Sequence, residues 1–302
     1  MNIKFKIIFI LMLVLTLTSS NAQQDPQYTN YMFNTLSVNS AYAGSRGHLS
    51  VIALHRTQWV GVDGAPQTQS LTVESPIGKN LGLGVAFVHD KLGPSQEYYL
   101  DANLSYTLKL NDKSSLSFGM KGGGRLLNVD LSDGFQGNSD VPSINNKFLP
   151  TVGAGVYWRN ETSYLGLSVP NFLTDEHYDR NAETVGVERL HYFLIGGKVF
   201  NLSSSVKFKP AFLAKFVSGA PVIFDLSANF MFYDNLRLGL AYRWDDSVSG
   251  LFGLQVSPKL LLGYAYDLTT TRLGEFNSGT HEIMLRFELK TKEKQLKSPR
   301  FF

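Results

Sequence analysis

Tyr98-Tyr99-Leu100-Asp101-Ala102-Asn103-Leu104-Ser105-Tyr106-Thr107-Leu108-Lys109-Leu110 alternates from end to end. Tyr98, Leu100, Ala102, Leu104, Tyr106, Leu108 and Leu110 fall on one face of an extended chain. Tyr99, Asp101, Asn103, Ser105, Thr107 and Lys109 fall on the other. Successive side chains of a strand point to opposite faces, so this stretch reads as a strand with one dry and one wet face. The same period recurs in 81–87, 222–232, 236–244 and 281–289. After the first 22 residues no segment sustains a comparable amphipathic 3.6-residue repeat.

Working outward, the pattern predicts about fourteen strands, most near the length that crosses a bilayer as part of a barrel. They fall near 48–59, 67–75, 80–90, 96–110, 114–127, 148–159, 162–169, 189–200, 204–217, 222–233, 236–245, 249–257, 260–269 and 280–290. The connections alternate in length. Ser75–Lys79, Asn111–Lys113, Asn160–Glu161, Asn201–Ser203, Asp234–Asn235 and Ser257–Lys259 are short and rich in turn formers. Those between them are generally longer, notably Asn128–Lys147 and Pro170–Glu188. The expected fold is all-β: a transmembrane antiparallel up-and-down barrel with short periplasmic turns and longer extracellular loops. Tyr98, Trp158, Tyr164, Phe200, Phe216, Phe232, Tyr242, Trp244 and Tyr266 fall near strand ends, where an interfacial girdle would lie, although β-propensity alone also favours aromatics there. The glycines are expected mostly on the inner face, where they let the walls approach each other or a plug.

Composition agrees with this and excludes other classes. The chain has 302 residues, 43% hydrophobic and 18% charged, with no cysteine and a formal charge of +3. It is too apolar for a disordered chain, and without thiols it is not a disulfide scaffold. The net charge is too weak for a nucleic-acid binder, so no nucleic-acid partner is expected.

Residues 1–22 carry Lys4 and Lys6 ahead of the apolar run Ile7–Leu17 and small residues at Ser20 and Ala22. This is the pattern of a cleaved signal peptide, which implies export. Four segments are therefore expected: a signal peptide over 1–22, an N-terminal periplasmic or lumenal arm over 23–47, the outer-membrane barrel over 48–290 and a basic tail over 291–302. The arm lacks clean alternation yet carries Tyr28, Tyr31, Phe33 and Tyr42. Aromatics outside strands bury against something, so packing at a mouth or inside the lumen competes with a role in docking a partner. The stretch from Lys290 carries Lys290, Lys292, Lys294, Lys297 and Arg300 against Glu293 and ends in Phe301-Phe302.

Catalytic patterns are missing. There is no HExxH, GxSxG or phosphate-binding loop, and the six histidines have no ligand spacing. No enzyme activity, metal or cofactor is expected. Predicted inward charges are Asp101, Lys109, Lys121, Arg125, Lys198, Lys215, Asp225, Arg237, Arg243, Asp267, Glu282, Arg286 and Glu288. Their mixed signs suit a hydrated or salt-bridged lumen better than an ion-selective pore.

Several blocks in order along the mature chain carry a resemblance. They include Asp25-Pro26-Gln27-Tyr28-Thr29, Tyr31-Met32-Phe33-Asn34, Asn39 with Ala41-Tyr42-Ala43-Gly44, and Arg56 with Gln58-Trp59. Gly64-Ala65-Pro66, Leu167-Ser168-Val169-Pro170-Asn171, Gly263-Tyr264-Ala265-Tyr266-Asp267, His281-Glu282-Ile283 and Ser298-Pro299-Arg300-Phe301-Phe302 continue it. The sequence resembles the PorP/SprF family of the type IX secretion and gliding machinery. Thr35 and Ser40 stand where that family would lead one to expect prolines.

The resemblance implies a non-enzymatic outer-membrane barrel that supports secretion and surface attachment of cargo such as adhesins, recognised through their C-terminal domains. It implies periplasmic components of the same machinery as partners, besides the outer-membrane lipid. On this reading Tyr28, Tyr31, Phe33, Tyr42, Arg56, Trp59, Arg300, Phe301 and Phe302 are the candidate partner-binding residues. A diffusion channel or ligand transporter is the competing function, because a barrel of this size can hold a lumen.

Overall fold

The computed structural model describes residues 28–130, 143–173, 189–217 and 220–289. The signal peptide, Gln23–Gln27, most of both long loops and the tail with Arg300, Phe301 and Phe302 lie outside the described residues.

Fifteen strands are found among the described residues. They are β1 (Leu49–Thr57), β2 (Gln67–Pro76), β3 (Leu81–Leu92), β4 (Ser95–Lys109), β5 (Ser115–Val129), β6 (Ile144–Arg159), β7 (Ser163–Val169) and β8 (His191–Lys198). There follow β9 (Phe200–Asn201), β10 (Val206–Val217), β11 (Ile223–Phe232), β12 (Leu236–Arg243), β13 (Ser247–Ser257), β14 (Leu260–Thr269) and β15 (Thr280–Leu289). Each strand pairs antiparallel with its sequence neighbours, except around the two-residue β9. β9 resumes the β8 edge after a break at Val199, and both pair with β10. β15 pairs with β1 from Leu49↔Leu289 to Thr57↔His281, and this seam closes the ring. The result is a closed barrel of fourteen staves with one short extra strand. Closure leaves no free edge, which a bilayer requires because lipid cannot hydrogen-bond exposed backbone.

The period-two pattern sorts the faces. Leu81, Leu83, Val85 and Phe87 of β3 are exposed outward, as are Leu100, Leu104 and Tyr106 of β4. Exposure of this kind all round suits hydrocarbon rather than water. The inward positions of β2 are Thr68, Ser70, Thr72 and Glu74, all buried. The buried cluster lies inside the ring. It joins arm residues Tyr31, Met32, Phe33, Leu36, Ala41 and Tyr42 to inward Ile52, Tyr157, Phe193, Leu213 and Met284.

Several expectations are corrected. Lys198 lies on the outward parity of β8, and Lys109 ends β4 at the rim, so both are exposed rather than lumenal. Tyr164 is buried and faces inward, with its ring 5.8 Å from Tyr157, so it belongs to the interior and not to a girdle. The connection between β3 and β4 is only Gly93-Pro94, an exception to the long-loop side. β5 and β6 run further than expected, so the connection between them is 130–143.

Candidate functional site

The arm from Tyr28 to Gly47 lies inside the lumen, with a cavity left between it and the wall at Tyr99, Asp101 and Lys121, and two different chemistries hold it. Its first part meets a charged clamp towards the long-loop end. Arg56 of β1 and Glu282 of β15 are direct cross-strand partners, and Asp267 sits on neighbouring β14. Arg56 binds Asp267 at 2.9 Å and Glu282 at 3.1 Å. Two carboxylates against one guanidinium leave a local excess of negative charge. The arm supplies donors for it. The Thr29 and Asn30 backbone N–H groups donate to the Glu282 carboxylate at 3.0 and 2.8 Å, and the Asn30 amide donates at 2.7 Å. The Thr29 hydroxyl donates to Asp267 at 2.7 Å and accepts from Arg56 at 2.9 Å. Hydrogen bonds to ionised groups are roughly twice as strong as neutral ones, and this set compensates a carboxylate with no solvent exposure.

The middle of the arm is held by shape. Two single turns of 3-10 helix, Thr35–Ser37 and Ser40–Tyr42, fold it back towards the short-turn end. Asn39 caps the second turn by accepting from the Ala41 N–H at 2.9 Å. Its amide also donates to the Val156 carbonyl at 3.1 Å. The turn rests on glycines of the wall. A Cβ on Gly119 would collide with the backbone of Ala41, one on Gly82 with the Ala43 carbonyl, and one on Gly84 with Leu36. Tyr42 meets Tyr157 edge to face, with centroids 5.4 Å apart. Gly44 then turns the chain with φ +65°, a conformation that side chains other than glycine rarely accept.

Arg46 anchors the end of the arm. It binds Glu74 of β2 at 3.2 Å and Glu288 of β15 at 2.9 Å, and donates to the Phe33 carbonyl at 2.8 Å. Burial opposes its charge. Tyr42, Glu288 and Glu74 outweigh that, so its pKa lies above the ordinary guanidinium value. Burial pushes the Tyr28 and Tyr31 phenols up, and both stay neutral.

Other lumenal charges are paired as well. Lys121 meets Asp101 at 3.0 Å, Arg125 meets Glu97 at 3.3 Å and Arg243 meets Asp225 at 3.2 Å. Eight buried lysine and arginine residues stand against seven buried carboxylates among the described residues. That near balance describes a cross-linked interior, since a selective pore lines up one sign.

The structure thus brings five of the nine candidate residues together. Tyr28, Tyr31, Phe33 and Tyr42 are buried in the lumen, and Arg56 is the centre of the clamp. As folded they contact this chain and offer no surface to a partner. Trp59 is half-buried at the start of the β1–β2 connection, with φ +45°, and its N–H donates to Thr280 at 3.1 Å. Glu74, Glu97 and Lys209 are buried charges that the sequence reading missed, although each shares the inward parity of its strand. Arg46 lies outside any strand, and no periodicity marks it.

The His281-Glu282 pair divides between two environments. Glu282 enters the clamp, while His281 stays on the outer side near Tyr264, whose hydroxyl lies 2.7 Å from its Nδ1. His89 stacks on Tyr98 at 4.5 Å.

Comparison with solved structures returns outer-membrane barrels. The CymD monoaromatic hydrocarbon channel is 14% identical, with a TM-score of 0.52, over 86% of this chain and 92% of its own. The Acinetobacter baumannii outer membrane protein Omp33 is 8% identical, with a TM-score of 0.48, over 82% of this chain and 100% of its own. At such identity the first likeness shows the fold alone. Comparison with curated proteins finds no significant match. The family model for the type IX secretion system membrane protein PorP/SprF matches residues 20–287. Nearly the whole barrel and all of the described arm lie within that match, and the chain belongs to the PorP/SprF family of type IX secretion system membrane proteins.

Proposed function

We propose that this barrel is a non-enzymatic accessory of type IX secretion that supports export and surface attachment of particular cargo, such as adhesins, through their C-terminal domains. The observation that carries the reading is a family match over residues 20–287 in a barrel whose lumen holds its own arm. With the arm packed inside the barrel, the two faces are the partner surfaces on this reading. The long-loop face, with Trp59 at its edge, would meet cargo. The short-turn face, with the tail that carries Arg300, Phe301 and Phe302, would meet periplasmic components of the machinery. Contact by Tyr28, Tyr31, Phe33 and Tyr42 would require the arm to leave the barrel.

The test is removal of the protein from its host, followed by comparison of surface-attached and medium proteins. Loss of a few surface proteins is expected. Loss of all of them defeats cargo specificity, and loss of none defeats the reading. Planar-bilayer recording separates it from a diffusion channel. A large steady conductance from the intact protein would favour the channel.

A further inference from the structure

The two ends of the barrel differ in charge. The connections at the long-loop end (58–66, 93–94, 130–143, 170–190, 218–222, 244–246 and 270–279) carry twelve acidic and three basic residues in sequence. The short-turn connections are balanced, with Lys79, Lys113 and Lys259 against Asp112, Glu161 and Asp234, and the strand ends beside them add Lys109, Arg159, Lys198 and Lys207. Lys207 is held by Asp234 at 2.5 Å. Lys79, Lys109, Lys113, Lys198 and Lys259 are exposed and spread round the rim, on the β2–β3 turn, the end of β4, the β4–β5 turn, the end of β8 and the β13–β14 turn.

These lysines have exposed apolar neighbours. Ile77 is two residues from Lys79, Leu108 and Leu110 flank Lys109, and Val256 precedes Lys259 by three. The Lys198 ammonium lies 5.1 Å from the centre of the Phe200 ring, which is itself exposed. Between the β2–β3 turn and the end of β4, Lys79, Asn80, Leu108 and Lys109 line one notch. A hydrogen bond from the Thr107 N–H to the Asn80 carbonyl, 2.8 Å, fixes its floor. Ammonium groups at the rim with hydrocarbon just inside it match a phosphate headgroup above an acyl chain.

We propose that the short-turn rim is a collar for phospholipid headgroups that selects anionic over zwitterionic lipid. Charge complementarity gives the selectivity, and the apolar neighbours commit the occupant to a lipid rather than a free anion. The inference does not depend on the cargo reading above.

The test uses the full chain, folded in bilayers of phosphatidylcholine doped with spin-labelled phosphatidylglycerol or spin-labelled phosphatidylcholine. The fraction of each label immobilised at the protein is the readout. Phosphatidylglycerol should be retained about fivefold over phosphatidylcholine, the factor one lysine near an anionic surface contributes. Rising salt should reduce that preference. Inorganic phosphate at the same ionic strength should reduce it no further than chloride does. The variant K79Q/K109Q/K113Q/K198Q/K259Q should keep the heat-dependent gel mobility of the folded barrel and lose the preference.

Equal retention of both labels by the unaltered chain overturns the proposal. So does a preference that survives the five substitutions. Specific displacement by inorganic phosphate overturns it in favour of a plain anion site. A variant that keeps its lipid preference but loses surface cargo shows that the collar serves a protein, and also overturns it.

Discussion

The arm is held at its start by charge and in its middle by shape, and the two contacts should fail differently. At Thr29 and Asn30 the wall offers Arg56, Asp267 and Glu282, and every bond has a buried ionised partner. At Asn39–Gly44 the wall offers Gly82, Gly84 and Gly119, and what matters is the absence of side chains. A charged clamp is intolerant of losing one member, because the others remain buried and uncompensated. A glycine seat is intolerant of gaining atoms, because the backbone opposite cannot swing aside.

The largest effect should come from breaking the clamp. Arg56→Ala leaves Asp267 and Glu282 buried without their cation and should cost about 3–5 kcal/mol. Heat-dependent gel mobility of the folded barrel would read this as a lower transition temperature. Adding Glu282→Gln to that variant should recover part of the loss, since one uncompensated charge disappears. If the double variant is worse than the single, the clamp is not electrostatic.

Gly119→Val comes next, at about 1–3 kcal/mol from overpacking against Ala41. Hydrogen exchange should rise over Ser40–Gly44 while Thr29 and Asn30 stay protected. Exchange rising equally along the arm would show that the two contacts are one unit. Thr29→Val removes the hydroxyl between Asp267 and Arg56 and should cost about 1–2 kcal/mol, with the reverse exchange pattern. The smallest effect is expected from Tyr42→Leu, which loses an edge-to-face contact worth about 0.5–1.5 kcal/mol. It should loosen the seat without moving the clamp, and hydrogen exchange that stays protected at Thr29 and Asn30 would check that.

Much of the barrel was legible because membrane strands write their two environments into alternate residues. The stretch from Tyr98 to Leu110 shows both faces without help from any other segment. The same logic recovered eleven of the thirteen expected inward charges, and it failed only for Lys109 and Lys198. The first carries the inward parity but ends its strand at the rim. The second lies on the outward parity of β8. Tyr164 lies near a strand end, where an aromatic suits an interface, yet it faces inward. Its parity with inward Gly166 and Ser168 was the better guide. Glu74 was available by the same rule, as the last of the polar series Thr68, Ser70, Thr72.

The arm could not be read in this way. It has no period, and it is held partly by strands at the far end of the chain: Thr29 with Asp267 are 238 apart and Arg46 with Glu288 are 242 apart. Its aromatic content said only that it would bury. The structure supplies the reason for residues of the Asn39–Gly44 stretch: Asn39 caps a turn, Ala41 sits against a glycine and Gly44 takes a positive φ.

The seam between β1 and β15 gives the arm a part in assembly. The seam joins the first and last of the described strands, so it closes the longest loop among them and gains least from local folding. The arm crosses that seam twice. Thr29 and Asn30 join Arg56 on β1 to Glu282 on β15, and Arg46 ties Glu288 on β15 to Glu74 on β2. The first segment of the folded chain thus staples its first strands to its last one. A ring zipped shut around empty space would lack these staples at the joint that most needs them, so lumen filling and ring closure are expected to be a single step of biogenesis.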